Sequence, residues 1–156
     1  PVEPVRGQMI VFQAPVGLLS RIVLSASRYL IPRRDGHVLA GSTLERAGFE
    51  KQTTPQALEA LQRFAINLIP ALSACPIEKH WAGLRPGSPD GTPYIGEHPE
   101  YTGLYFNTGH FRNGVVLGLA SAHLLADIVL KREPILDPRP YALDMPRLAE
   151  NSVDIQ

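Results

Sequence analysis

Two arginines lie in glycine-rich segments that each follow a predicted strand. Arg85 lies within residues 81–87 and Arg112 within residues 109–114. Glycines on either side of a functional side chain let the backbone approach a flat ligand closely. A guanidinium presents a planar pair of donors that matches a carboxylate. The helix predicted after Asn113 would direct its positive end at the same place, where it favours negative charge. The pattern indicates an anion or carboxylate site beside a flat ring; the alternative is that the glycines only make turns and the arginines are surface charges.

Other familiar chemistries leave no trace in the sequence. No Gly-x-Gly-x-x-Gly follows a strand, no phosphate-binding loop ends in Gly-Lys-Ser/Thr, and no Gly-x-Ser-x-Gly occurs. The five histidines are scattered, and no pair of His or Cys has metal-ligand spacing, so we expect no metal site. The single cysteine, Cys75, has no nucleophile context and is interpreted as structural.

Composition describes a globular domain. The 156 residues are 44% hydrophobic and 19% charged, with 15 basic and 15 acidic residues. This balance gives no sign of the clustered basic surface that nucleic-acid binding requires, and we expect no nucleic-acid partner. The longest apolar run, residues 115–130, is interrupted by His123 and Asp127, so no membrane span is expected. A lone cysteine without a signal peptide favours the cytoplasm. Because the chain starts with Pro1 at the approach to a strand, we expect it to be cut from a longer protein.

Local patterns predict the elements that must position the two arginines. Thr54-Pro55 is typical of a helix start, with apolar residues at helical spacing after it and Pro70 near its end. Asp35-Gly36 is typical of a tight hairpin turn, which would place Tyr29 and Leu39 on paired antiparallel strands. The predicted strands are 6–14, 22–32 with an interruption at 25–28, 37–43, 77–84, 94–96 and 104–108. Residues 85–91 are predicted to be irregular, and so are those beyond 131.

The second helix, predicted over residues 115–130, is apolar around nearly its whole circumference. Such a helix is buried on all sides. We therefore expect it to pack normally against protein outside this chain, or to be covered by forming a homo-oligomer. The fold class expected is α+β: a mixed, mainly antiparallel sheet with a helix packed on one face plus a buried C-terminal helix.

Both arginine segments carry a family resemblance. Residues 81–96, followed by 104–117, resemble the C-terminal half of the FAD-dependent glycine oxidases of the D-amino-acid oxidase superfamily, which supply the thiamine pathway in many bacteria. The segments that begin at Val5, Tyr29 and Val38 are similar to the same family, so the resemblance covers about residues 5–133. It implies hydride transfer from the α-carbon of glycine or another small amine to FAD. The products would be an oxo acid, ammonia and hydrogen peroxide.

The resemblance also implies roles for individual residues. Arg85 matches the arginine that clamps the substrate carboxylate, and Tyr29 matches the tyrosine whose hydroxyl helps to hold it. Arg112 matches a loop arginine whose backbone carbonyl receives the substrate amine. Leu44 falls at a pocket methionine of the family, and Ser27 at a histidine of some members, so sarcosine, small D-amino acids and imino acids remain alternatives to glycine. The residues expected along FAD are Gly83, Leu84, Arg85, Gly109, His110, Phe111, Arg112, Asn113, Gly114, Val115 and Val116.

By the same resemblance, residues 1–80 are part of a substrate-binding domain. Residues 81–133 supply the active-site loops, returning strand and helix that rejoin an FAD domain, and 134–156 are an irregular tail. The N-terminal FAD-binding region would be a missing partner, so this chain alone is expected to be colourless and inactive. Two alternatives remain: a D-amino-acid or imino-acid dehydrogenase of the same fold, and a non-catalytic module that binds a carboxylate or a protein partner.

Overall fold

The computed structural model describes residues 1–147. The chain divides into two compact units: Val5–Leu84, called the sheet unit here, and Pro1–Pro4 with Arg85–Gln156, called the arginine unit. The division falls within two strands, Glu3–Gln13 and Ile77–Gly87, so the covalent chain passes between the units after Pro4 and again after Leu84.

The main sheet has five strands: β1 (Glu3–Gln13), β2 (Val23–Ser25), β3 (Arg28–Pro32), β4 (His37–Gly41) and β5 (Ile77–Gly87). Their order across the sheet is β2-β3-β4-β1-β5. Strand β1 pairs antiparallel with β4, β4 with β3, and β3 with β2. The turn predicted at Asp35-Gly36 joins β3 to β4, and Gly36 takes a positive φ of 96° there.

Helix α1 (Pro55–Leu68) supplies the other layer of the sheet unit, and a short 3-10 helix (Pro70–Ala74) follows it. It begins as predicted: the Thr54 hydroxyl oxygen accepts a 3.3 Å hydrogen bond from the Ala57 N–H, and Pro55 takes the first helical position. The core between sheet and helix excludes water almost completely. Its members are Ile10, Phe12, Leu30, Val38, Ala40, Leu61, Ala65 and Leu72.

The arginine unit contains a two-stranded antiparallel sheet, β6 (Tyr94–Glu97) with β7 (Tyr105–Thr108), and helix α2 (Gly114–Val129). Helix α2 contacts both strands of this sheet. None of the helices in residues 1–147 is long and apolar enough to cross a membrane. A 3-10 helix (Arg139–Tyr141) follows, and the Arg147 guanidinium stacks 4.5 Å from the centre of the Tyr94 ring.

The predicted fold class is confirmed: a mainly antiparallel sheet with a helix on one face, plus a C-terminal helix. Helix α2, however, buries only one stripe within the described residues. Ser121, Leu124 and Asp127 are buried, whereas Val115 is 98% exposed and Leu119 is 88% exposed. The prediction of burial on all sides therefore does not hold within this chain.

One local prediction was incomplete and another was wrong. The interruption predicted at residues 25–28 of the strand over 22–32 is present, and it is a full reversal: Ala26 and Ser27 adopt positive φ values of 45° and 62° and turn the chain back, so β2 and β3 form a hairpin. Residues 85–91 were predicted to be irregular, but β5 continues through Arg85 to Gly87. Strand β5 is an edge strand, where the missing N–H of Pro86 does not interrupt a ladder between two neighbours.

The predicted irregular tail, 134–156, holds the 3-10 helix at Arg139–Tyr141 and is irregular elsewhere up to residue 147. The rest of that prediction, residues 148–156, lies outside the described residues.

Candidate functional site

The two arginine-bearing segments are joined through their backbones. The Phe111 N–H donates a 2.9 Å hydrogen bond to the carbonyl of Pro86, and Gly87 and His110 form an antiparallel bridge. The residue that follows Arg85 is thereby bonded to the residue that precedes Arg112. All of these residues belong to the arginine unit. The structure thus brings together the two segments that the sequence singled out separately.

The segment before α2 is a tight turn with two residues in left-handed conformations. Gly109 has a φ of 79°, and a side chain there would place its Cβ 3.2 Å from the ring of Tyr94 and 3.4 Å from Ser88. Phe111 has a φ of 49°, which is costly for a bulky residue. The Asn113 N–H closes the turn by donating 2.9 Å to the His110 carbonyl. These contacts fix the backbone on both sides of Arg112.

His110 lies half-buried in this turn. Its Nε2 atom is buried and has no hydrogen-bond partner among the described residues, and the same is true of the Ser88 hydroxyl. Burial lowers the pKa of His110 below its ordinary value, because desolvation penalises the imidazolium. The lowered pKa favours the uncharged ring at neutral pH.

The first turn of α2 is open. Asn113 makes no side-chain capping bond, and the first turn contains no acidic residue. The first helical hydrogen bond runs 2.8 Å from the Leu117 N–H to the Asn113 carbonyl, so the N–H groups before Leu117 have no partner within the helix. Val115 and Val116 are 98% and 83% exposed. A partial negative charge placed at this end would be stabilised by these donors and by the helix dipole.

Tyr29 lies on β3, on the face of the sheet opposite α1. It pairs with Gly41 of β4, which in turn pairs with Met9 of β1, so the three residues form a row across the sheet. The Tyr29 hydroxyl lies 3.7 Å from the sulfur of Met9. Gly41 leaves room for this row, since a Cβ there would lie only 2.9 Å from the tyrosine ring. Leu30, the next residue on the strand, points into the core.

Leu44 is half-buried just after β4, and its two neighbours belong to a polar network that the sequence analysis missed. Gln8 is fully buried, and its side-chain amide donates 2.8 Å to one carboxylate oxygen of Glu45. Arg6, only 7% exposed, donates 2.8 Å from Nε to the other oxygen. The Thr43 hydroxyl also donates to Glu45. The sequence signal was a pair of polar residues two apart in an otherwise apolar strand, with their partner more than 35 residues away.

The network tunes the charge of its central carboxylate. Burial on its own raises the pKa of Glu45, but the hydrogen bonds from Thr43, Arg6 and Gln8 together lower it below its ordinary value. Glu45 is therefore ionised at neutral pH, and it neutralises the buried guanidinium of Arg6. The network also reaches α1, because the Gln8 amide donates 3.1 Å to the Thr54 hydroxyl.

The predicted site residues fall in both units. Arg85, Arg112 and the turn that leads into α2 are in the arginine unit, whereas Tyr29, Leu44, Gly83 and Leu84 are in the sheet unit. Gly83 is exposed, and a Cβ there would meet nothing within 4 Å, so the strand surface is open at that point. In residues 1–147, no group of three or more His, Cys, Asp or Glu side chains could hold a metal ion.

The chemistry of the polar groups in the arginine unit is compatible with a flat, partly anionic ring such as that of a flavin. The uncapped N–H groups at the start of α2 and the buried, unpartnered Nε2 of His110 are the kinds of polar groups that such a ring could engage. The residues that would lie along it are Gly109 to Val116.

Comparison with known proteins agrees with this chemistry. A family model described as FAD dependent oxidoreductase matches residues 1–128. The glycine oxidase of Pseudomonas aeruginosa is 56% identical over 142 residues, which are 91% of this chain and 39% of that protein. A bifunctional ThiO/ThiG protein of Synechocystis is 34% identical over 98% of this chain and 27% of its own length. The crystal structure of glycine oxidase from Geobacillus kaustophilus superposes with a TM-score of 0.87 at 34% identity, over 91% of this chain and 39% of that one.

The chain spans about two fifths of the length of the glycine oxidases that it matches, since 39% of each is covered. The family match covers most of the chain, including β1, the Arg85 strand and nearly all of α2. As the sequence resemblance predicted, the chain belongs to the FAD-dependent oxidoreductase family.

Proposed function

We propose that the full-length protein oxidatively deaminates glycine or another small amino acid, and that this chain supplies the substrate side of its active site. The observation that carries the proposal is the hydrogen-bonded pair of segments around Arg85 and Arg112, next to the open first turn of α2. Arginine beside a backbone that a flat ring can approach suits a substrate with a carboxylate next to the reacting carbon. The 56% identity to a protein named glycine oxidase supports glycine as the leading substrate.

The site residues divide the work of binding between the substrate and the cofactor. Arg85 clamps the substrate carboxylate, the Tyr29 hydroxyl helps to hold it, and Leu44 borders the substrate side chain. The carbonyl of Arg112 accepts a hydrogen bond from the substrate amine, and this orients the α-carbon. The first turn of α2 stabilises negative charge at the adjacent ring edge. Gly83, Leu84 and residues 109–116 lie along the cofactor.

The α-carbon of the substrate loses a hydride and the amine a proton, which leaves an imine that water hydrolyses to an oxo acid and ammonia. When bound, FAD supplies the two-electron acceptor, and molecular oxygen finally takes the two electrons and becomes hydrogen peroxide. For this proposal we assign residues 1–80 to part of a substrate-binding domain. Residues 81–133 supply the active-site loops and the returning strand and helix that rejoin an FAD-binding region, and we place the protein in the cytoplasm.

The test is an assay of the full-length protein with glycine, sarcosine, D-alanine and D-proline, in which amine loss and peroxide are measured together. We expect peroxide with at least one of these substrates. Replacing Arg85 by alanine should raise the KM by roughly 10- to 100-fold, because a charge-assisted carboxylate contact is lost. Arg34→Ala, in the exposed hairpin turn, is the matched control and should change neither KM nor kcat.

Two other outcomes define the alternatives. Amino-acid oxidation that requires a quinone-like acceptor and yields no peroxide would favour a dehydrogenase of the same fold. Carboxylate binding through Arg85 and Arg112 without any turnover would favour a non-catalytic binding module. Ser27 and Leu44, which depart from the family pattern, are the positions to exchange if the preferred substrate is not glycine.

A further inference from the structure

Strand β1 pairs with the segment after it in two different registers. Met9 lies opposite Gly41, whereas Arg6 lies opposite Glu45. Two residues of β1, Gly7 and Gln8, therefore stand against three residues, 42–44. One extra residue on one strand is a β-bulge, and it reverses the side to which the following side chains point.

The bulge decides where Leu44 faces. Without it, alternation from Gly41 would place Leu44 on the α1 side of the sheet and Thr43 on the other. The hydrogen bonds show the reverse. The Glu45 carboxylate accepts hydrogen bonds from the side chains of Gln8 and Arg6, and Gln8 in turn reaches Thr54 at the start of α1. The Thr43 hydroxyl donates to the same carboxylate, so Thr43 and Glu45 both lie on the α1 side. Alternation then places Leu44 on the opposite side, which is the side of Tyr29.

The side chain that secures this arrangement is Glu45. Its two carboxylate oxygens receive hydrogen bonds from Thr43, Gln8 and Arg6. Its backbone is bonded in both directions to Arg6, at 2.8 and 3.0 Å. Glu45 therefore fixes the bulged segment through hydrogen bonds of both its side chain and its backbone. Without Glu45, the buried guanidinium of Arg6 would lose its closest counter-charge.

We propose that Glu45 is a positioning residue that holds Leu44 on the Tyr29 face and thereby sets which small amino acid the site accepts. The proposal rests on the proposed function, because it assumes a substrate beside Tyr29. It extends that function by assigning selectivity to a residue that does not touch the substrate. Its effect should appear as a change in the ratio of kcat/KM between small and larger substrates.

The experiment compares Glu45→Ala, Glu45→Gln and Leu44→Ala with the double variant Leu44→Ala/Glu45→Ala in the full-length protein. The ratio of kcat/KM for glycine to that for D-alanine is measured. Glu45→Ala should shift this ratio by at least about fivefold, and Glu45→Gln, which keeps one accepting oxygen, should recover part of it. The two alanine changes should be non-additive, since both act through the position of Leu44.

Glu50→Ala is the matched control. Glu50 also faces Arg6, at 3.8 Å, but its side chain is largely exposed, so the ratio should stay at the wild-type value. Hydrogen exchange at the amides of Arg6 and Glu45 should quicken in Glu45→Ala and not in Glu50→Ala. If Glu45→Ala fails to fold, the same comparison of kcat/KM ratios is made with Glu45→Gln, Leu44→Ala and the double variant Leu44→Ala/Glu45→Gln.

The possible failures are distinguishable. If the wild-type protein oxidises amino acids but the Glu45 variants lose only thermal stability and keep the wild-type ratio, Glu45 is structural and the inference is overturned. Additive effects of Leu44→Ala and Glu45→Ala would overturn it as well. If the wild-type protein oxidises no amino acid, the proposed function fails first, and the inference falls with it.

Discussion

Gly41 offers a direct test of how the sheet positions Tyr29. A Cβ at this position would lie 2.9 Å from a ring carbon of Tyr29 and 3.1 Å from two side-chain carbons of Met9. Carbon atoms in contact lie about 3.5–4.0 Å apart, so the ring would have to retreat by roughly 0.6–1.1 Å. The strands cannot open to make room, because Gly41 is paired on both sides, with Met9 and with Tyr29.

We therefore expect Gly41→Ala to destabilise the chain by about 1–3 kcal/mol, the range found for overpacked sites. For a chain of this size, that lowers the Tm by roughly 2–12 °C. In the full-length protein the displaced hydroxyl of Tyr29 should raise the KM for the amino acid more than it lowers kcat. The Tm is measured by thermal unfolding monitored with near-UV circular dichroism, and KM and kcat are measured by steady-state kinetics.

The control is Gly83→Ala, where a new Cβ meets nothing within 4 Å and the Tm should stay within about 1 °C of wild type. The second variant is Met9→Ala/Gly41→Ala, which removes one of the two clashes and should recover part of the loss. A Gly41→Ala protein that melts with the wild type, or a double variant whose losses simply add, would show that the row of Met9, Gly41 and Tyr29 is not packed as described.

Three further predictions concern other positions. A hydrogen bond to Glu78 raises the pKa of His37 above its ordinary 6.5. Because the pKa is higher in the folded state than in the unfolded state, protonated His37 stabilises the fold. This stabilisation is complete below about pH 6.5 and is lost as the pH rises through the raised pKa. Urea unfolding across that pH range should show a decrease in the free energy of unfolding in the wild type and not in His37→Gln. Thr54→Ala removes the helix cap and should lower the free energy of unfolding by about 0.5–2 kcal/mol in the same assay, whereas Thr54→Ser should stay near the wild-type value. Gly109→Ala combines a φ of 79° with a contact 3.2 Å from the Tyr94 ring, and should lower the Tm as well as flavin retention by the full-length protein; unchanged melting would refute the tight turn.

Sequence patterns predicted the elements whose signals are local. The backbone preferences of Thr54-Pro55 and Asp35-Gly36 favour a helix start and a tight turn, respectively. The helix start and the turn are both found at the predicted positions. The break at residues 25–28 was predicted, but not that it reverses the chain into a hairpin, because neither Ala26 nor Ser27 is typical of positive φ. The extension of β5 through Pro86 was missed because only the strand order shows that β5 is an edge.

The candidate site was predictable in its parts and not in its arrangement. Glycine and arginine together marked the segments around Arg85 and Arg112, but the bond from Phe111 to Pro86 depends on how the chain returns after β7. The Glu45 network was invisible for the same reason, since its bonds to Arg6 and Gln8 cross almost forty residues of sequence. Pairings of this kind are set by tertiary packing, which no window of neighbouring residues contains.

Helix α2 shows how an apolar sequence and an exposed surface can be consistent. Within the arginine unit, its inward stripe includes the polar residues Ser121 and Asp127, while Val115, Val116 and Leu119 face outward. A surface helix normally buries its apolar side chains and exposes its polar ones, whereas α2 buries two polar residues and exposes its valines. The arrangement is sensible if the outward stripe is covered in the full-length protein, of whose relatives this chain spans only two fifths. Val115 and Val116 lie in the same turn as the uncapped N–H groups, so a cofactor placed along residues 109–116, as proposed, would itself cover these two valines.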